Sequence, residues 1–312
     1  MALLCGSAVR TGRGGSGGDV HGGGDAVRTA GLPARCRLVR SLRALVVGDA
    51  FGAAVDAVPR TEGRTLPPGR WEWTDDSEMA YSIAGELAEH HHVEQDSLVR
   101  RFAERHDARR GYGRGTTDLL RRIRGGAHWR LAASESFGGR GSWGNGAAMR
   151  VAPLGAWFAS DPGATTSQAA LSAEVTHSHA EAIAVAAATA AVSGPDTEPA
   201  EFLGEVATVV RGGPVRDRIL RTGRMTGEPA NAVAAAVGNG AETRALDTVP
   251  FAIWCAATHL ADFREAMWTA ASVGGDRDTI CAMVGGIIGN TAEIPERWWA
   301  HCEPPPPWTI LP

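Results

Sequence analysis

From about Cys36 onward the apolar side chains return every three to four residues, and nowhere do they alternate over the length of a strand, which restricts the chain to helices packed on helices. Val39, Leu42, Leu45 and Val46 begin one stripe that runs into GDAFGAAVD. Met79, Ile83 and Leu87 form a second, and Leu98 and Phe102 a third. Ile280, Met283, Val284, Ile287 and Ile288 mark a late helix whose Gly285, Gly286 and Gly289 permit close approach to a neighbour. Residues 180–192 are nearly all alanine, with Ile183 and Val185, and read as a strong helix former. Gly- and Pro-rich breaks fall at 59–69, 138–146, 193–199, 211–214 and 238–240, and no hairpin signal joins them. The expected fold is all-α, a single compact orthogonal bundle of ten or more helices.

A chain of 312 residues, 44% hydrophobic and 21% charged, is long enough to bury a sizeable core. Its formal net charge of −4 offers no broad basic field, so nucleic acid is not an expected partner. A small anionic ligand remains open, because one or two metal ions can neutralise it locally. Cys5, Cys36, Cys255, Cys281 and Cys302 are scattered, odd in number and without a CxxC pair, which argues against a disulfide framework or a zinc site and for the cytoplasm. No apolar run reaches the roughly 18 residues that span a bilayer, so no membrane partner is expected. The start, MALLCGSAVRTGRGG, lacks the apolar stretch of a secretory leader. Residues 1–34, dominated by Gly, Arg and small polar side chains, read as disordered; 35–300 read as the folded domain, and 301–312 as an extended Pro-rich tail on its surface.

Two acidic clusters stand at predicted helix starts. WTDDSEMA places Thr74, Asp75 and Asp76 before a helix beginning near Ser77, and GGDRDT places Asp276, Asp278 and Thr279 before another. Either cluster alone reads equally as a helix cap, worth about 0.5–2 kcal/mol. Together they hold more carboxylate and hydroxyl oxygens than caps require. If the two helix starts face each other, their carboxylates repel without a cation. An all-oxygen set with no Cys or His selects a hard ion such as Mg²⁺ or Mn²⁺.

Five blocks, GDAFGAAVD (48–56), WTDDSEMA (73–80), GSWGNGAAMRVAPLG (141–155), THSHAEA (176–182) and GGDRDT (274–279), resemble the ADP-ribosylglycohydrolase family in order and over most of the chain. The resemblance implies an all-α domain with a central dinuclear cleft. Two Mg²⁺ ions, or Mn²⁺, would be held there by Thr74, Asp75, Asp76, Asp276, Asp278 and Thr279. It implies hydrolysis of the bond between ribose C1″ and an acceptor, a protein side chain or a small conjugate. The family carries an acidic residue near the scissile bond in its first block, usually glutamate; this chain has the shorter Asp56. The candidate catalytic carboxylates are thus Asp56, Asp75 and Asp76.

The glycines of GGRGSWGNGAAMR, followed by an Ala-rich helix start, suit a phosphate held by backbone N–H groups, although a flexible capped loop would look the same. By resemblance this is the diphosphate loop, with Gly141, Ser142, Gly144 and Asn145 as contacts. Trp143 and Phe137 are candidates to stack on adenine or to serve as plain core. Resemblance also assigns His177 to the ADP-ribose as a hydrogen-bond donor, and Gly238 and Asn239 to the distal ribose or acceptor. Three activities are compatible with these readings: glycosidic hydrolysis, ADP-ribose binding without turnover as in a crystallin-like structural protein, and metal-dependent cleavage of the diphosphate.

Overall fold

The computed structural model describes residues 31–58, 63–180, 182, 198–210 and 212–311. Residues 1–30 of the N-terminal segment, most of the alanine-rich run at 180–192 and residues 193–197 of the break after it lie outside the described residues. Over the described residues the backbone forms α-helices, two short 3-10 turns and two isolated bridges, with no strand. The chain begins with α1 (Ala34–Ala57), α2 (Asp75–His90), α3 (Gln95–Arg105), α4 (Arg114–Arg124) and α5 (Trp129–Gly139). Then come α6 (Ala152–Trp157), α7 (Pro162–Glu174), α8 (Pro199–Val209), α9 (Pro214–Gly223) and α10 (Ala230–Val237). Helices α11 (Ala245–Thr258), α12 (Phe263–Ser272), α13 (Arg277–Ile288) and α14 (Glu296–His301) complete the bundle.

The central pair is α1 and α13, from opposite ends of the sequence. A methyl group on Gly52 would meet Asp278 Cα at 2.6 Å, one on Gly48 would meet Cys281 O at 2.1 Å, and one on Gly285 would meet Ala44 O at 2.3 Å. As the number on one helix falls by four the other rises by about four, so the pair runs antiparallel with backbones in direct contact. Only glycine permits this approach, since any Cβ there would overlap main-chain atoms. Ser41 Oγ donates to Gly286 O at 2.7 Å and seals the far end of the crossing. Helices α2 and α6 pack on α1, while α11 and α12 pack on α13.

Aromatic rings fix the end of α1 nearest the acidic clusters. Phe51 stacks on Trp298 with centroids 4.7 Å apart and meets Trp268 edge-on at 5.0 Å. Trp254 and Trp298 are buried, and Trp268 and Trp299 pack against the core. The C-terminal segment is held against the bundle. Trp71 N donates to His301 O at 2.8 Å, Glu303 N donates to Trp71 O at 2.9 Å, and Trp308 and Leu311 rest on the core. An aromatic and a leucine after four prolines supply the apolar surface that docks it.

Candidate metal centre

Asp49 lies in the middle of α1, fully buried, at the level where the glycine crossing delivers the first turn of α13. Its carboxylate accepts from Thr74 N at 2.9 Å, Thr74 Oγ1 at 2.8 Å, Ser77 N at 3.1 Å and Ser77 Oγ. The first turn of α2 is therefore capped by a carboxylate from another helix, which locks the TDD turn against α1. Thr74 adds the local cap, its Oγ1 accepting from Asp76 N. One carboxylate oxygen each from Asp49, Asp76 and Asp278 then fall within 4.8 Å of one another.

Three carboxylates at this separation repel, and burial disfavours the charges of Asp49 and Asp76. Burial, and then the charge of Asp278, raises Asp49 to about 7. Burial and then the charge of Asp49 push Asp75 and Asp76 well above the ordinary carboxylate range. Asp276 rises to about 8, through burial and then its neighbour Asp278. Asp76 Oδ1 is buried with no hydrogen-bond partner. An acidic, all-oxygen cluster with an orphaned carboxylate oxygen fits a hard divalent cation, which would supply both the missing charge and the missing partner.

The second cluster is held by its surroundings. Asn145 Nδ2 donates to Asp276 Oδ2 at 2.6 Å and lies 3.1 Å from Thr248 Oγ1. Asp276 N donates to Asn239 O at 3.2 Å, and a Cβ on Gly275 would sit 1.9 Å from that oxygen. Asn239 thus braces the GGD turn, while its neighbour Gly238 packs against Asp247. Thr279 Oγ1 lies 3.5 Å from Asp76 Oδ2, linking the two clusters directly.

The structure brings together Thr74, Asp75, Asp76, Asp276, Asp278 and Thr279, and adds Asp49, which the sequence reading passed over. The available signal was a lone carboxylate inside the apolar run ALVVGDAFGAA, a position that costs burial energy unless something compensates. Asp56 lies apart from the trio, in the last turn of α1, with its side chain 40% exposed and paired with Arg277.

The glycine loop differs from expectation in its last part. Residues Asn145–Ala147 form a 3-10 turn, and the next helix starts only at Ala152, where Pro153 occupies the first turn. Proline's fixed φ and missing N–H favour a helix start at that point, so no α-helix N-terminus abuts the glycines. The loop is instead clamped by a short pairing, Asn145 N to Thr243 O at 3.0 Å and Ala245 N to Trp143 O at 3.1 Å. Ser142 Oγ caps Gly144 N at 3.3 Å. Gly141 packs so closely on Ser178 that a Cβ would lie 2.2 Å from its hydroxyl oxygen.

Phe137 and Trp143 lie side by side with centroids 4.9 Å apart. Phe137 is 48% exposed and adopts φ of 54°, a left-handed conformation in which a bulky residue is strained, at a kink in α5. His177 is buried beneath the loop. Among the described residues no helix is long and apolar enough to cross a membrane.

The sequence matches the ADP-ribosylglycohydrolase family over residues 32–310. It is 31% identical over 289 residues to an uncharacterised protein of Archaeoglobus fulgidus, covering 88% of this chain and 86% of the relative. It is 27% identical over 321 residues to ADP-ribosylhydrolase ARH3 of Danio rerio, covering 86% of each. The fold is similar to that of a solved chain described as an ADP-ribosylglycohydrolase-related protein complex, with a TM-score of 0.55, 24% identity and coverage of 86% of this chain and 93% of that one. The all-helical bundle, its buried aspartates and a family match spanning nearly all of the described chain agree: this chain belongs to the ADP-ribosylglycohydrolase family.

Proposed function

We propose that the chain hydrolyses the bond between ribose C1″ and the acceptor in ADP-ribosylated proteins or small conjugates, releasing ADP-ribose. The observation that carries this reading is the convergence of Asp49, Asp76 and Asp278 from three separate helices, in a chain of this family. Thr74, Asp75, Asp76, Asp276, Asp278 and Thr279, together with Asp49, would hold two Mg²⁺ or Mn²⁺ ions. Such ions, when bound, supply Lewis acidity toward the ribose hydroxyls and the attacking water.

The chain's own residues carry the rest. Gly141, Ser142, Gly144 and Asn145 cradle the diphosphate, Trp143 and Phe137 offer faces to adenine, and His177 donates a hydrogen bond from below. Gly238 and Asn239 border the distal ribose. Water attacks C1″, the bond from C1″ to the acceptor breaks with its electron pair going to the acceptor atom, and Asp75, Asp76 or Asp56 takes the proton from the water. The surrounding carboxylates face the positive charge that develops on the ribose ring.

The Asp56–Arg277 pair favours one rival, an ADP-ribose binder or crystallin-like protein with little turnover, because it engages the carboxylate outside the acidic trio. Incubation with ADP-ribosyl-arginine and ADP-ribosyl-serine peptides and Mg²⁺ decides the matter. Free ADP-ribose supports hydrolysis and names the acceptor. Tight ADP-ribose binding without product supports the binder, and AMP points to cleavage of the diphosphate.

A further inference from the structure

Beneath the glycine loop lies a buried polar chain that the cation cluster does not use. Arg150 is completely buried, yet no carboxylate accepts from it among the described residues. One of its Nη2 contacts is Ser172 O at 2.9 Å and the other is Thr176 Oγ1 at 2.8 Å. Its guanidinium also lies over the Phe102 ring, 4.6 Å from the centroid. Thr176 Oγ1 in turn is 2.7 Å from His177 Nδ1.

Proton accounting sets the direction of this chain. Arginine only donates, so Thr176 Oγ1 accepts from Arg150. The threonine has one proton of its own, and the acceptor in reach is His177 Nδ1. A proton on Nδ1 would also point toward the buried guanidinium, whereas its lone pair is attracted by that charge. Burial, then Arg150, lowers His177 to about 3, so the ring is neutral and carries a single proton. That proton is left to Nε2. Nε2 faces the loop: a Cβ on Gly146 would sit 3.0 Å from it, and one on Gly144 would sit 3.4 Å away.

We propose that Arg150 and Thr176 are positioning residues that lock His177 as its Nε2–H tautomer, so that the ring presents a permanent donor to an anionic oxygen seated at residues 144–146. The tautomer lock rests on the Arg150–Thr176–His177 contacts and the burial of the ring; the identity of the oxygen as one from ADP-ribose rests on the function proposed above.

The test reads the two parts separately. In ligand-free protein labelled with ¹⁵N-histidine, the His177 resonances, assigned by their loss in His177→Gln, are expected to show a protonated Nε2 and a bare Nδ1 across pH 5–8. Thr176→Val should shift the spectrum toward the Nδ1–H form or a mixture, and Thr176→Ser should restore the wild-type pattern. With Mg²⁺ present, ADP-ribose titrated by calorimetry should bind about tenfold more weakly to Thr176→Val, the loss of one hydrogen bond, and within about twofold of wild type to Thr176→Ser. A wild-type ring protonated on Nδ1, or a Thr176→Val spectrum identical to wild type, overturns the lock. The first of these measurements needs no variant at position 176, so it holds even if Thr176→Val fails to fold. A confirmed tautomer in a protein that does not bind ADP-ribose would overturn the functional reading and leave the lock standing.

Discussion

Asp49 illustrates how one side chain links fold and chemistry. Its carboxylate satisfies two backbone N–H groups and two hydroxyls of the TDD turn while standing beside two other carboxylates. Replacing it with asparagine keeps the shape but turns an oxygen acceptor into a donor facing other donors. Asp49→Asn is expected to weaken Mg²⁺ binding by more than about tenfold, read by calorimetry, because each hard-ion site depends on its charge count. Asp278→Asn should abolish Mg²⁺-dependent turnover while circular dichroism shows unchanged helicity. Asp56 makes a sharper distinction, since it stands outside the trio. If it takes the proton, Asp56→Ala should lower turnover by about 10²–10⁴ and leave Mg²⁺ affinity unaltered. Wild-type turnover in that variant would remove Asp56 from the mechanism. The TDD and GGDRDT residues were legible because together the two turns hold more carboxylate and hydroxyl oxygens than helix caps require. Asp49 was passed over: its apolar neighbours hint at burial, but it sits inside a helix with no turn beside it, and only the fold supplies the Thr74 and Ser77 groups that compensate it.

At the scale of elements, the α1–α13 crossing is what sets the distance between the acidic groups. The late glycines already suggested close approach, but their partner could not be read from the chain: GDAFGAAVD offers Gly48 and Gly52 at the right spacing without saying which helix they meet. Gly48→Ala drives a methyl group into Cys281 O and should destabilise the fold by about 1–3 kcal/mol or more, as overpacking does. It should also weaken Mg²⁺ binding, since the helices must separate at the level of Asp49. Gly204, inside α8 with nothing within 4 Å of its would-be Cβ, is the control. Gly204→Ala should stabilise by about 0.5–1 kcal/mol and leave Mg²⁺ binding unchanged. Urea unfolding with parallel Mg²⁺ titration checks both. The positions of α1, α2, α3 and α13 followed from the apolar period, while the helices between α3 and α13 carried no stripe clear enough to place them. The glycine loop did not, because its path is set by long-range pairing with residues 243–245 and by Pro153 rather than by local propensity.

For the whole molecule, the crowded carboxylates make stability depend on pH. Asp49 and Asp276 ionise near 7 and 8 in the fold but near 3.8 when free, so between about pH 4 and pH 8 the folded chain holds protons that the unfolded chain has lost. In EDTA the melting temperature should therefore fall as pH rises through that window. Mg²⁺ should offset the repulsion, so its stabilising shift should be larger at pH 8 than at pH 5.5. A shift that is equal at both values would mean that the ion binds elsewhere. The most direct test of the account is anomalous diffraction from crystals grown with Mn²⁺. The expected map has a strong peak coordinated by Asp49, Asp76 and Asp278, with Asp76 Oδ1 among the ligands. A map with no peak there, or carboxylates turned away from one another, would contradict it.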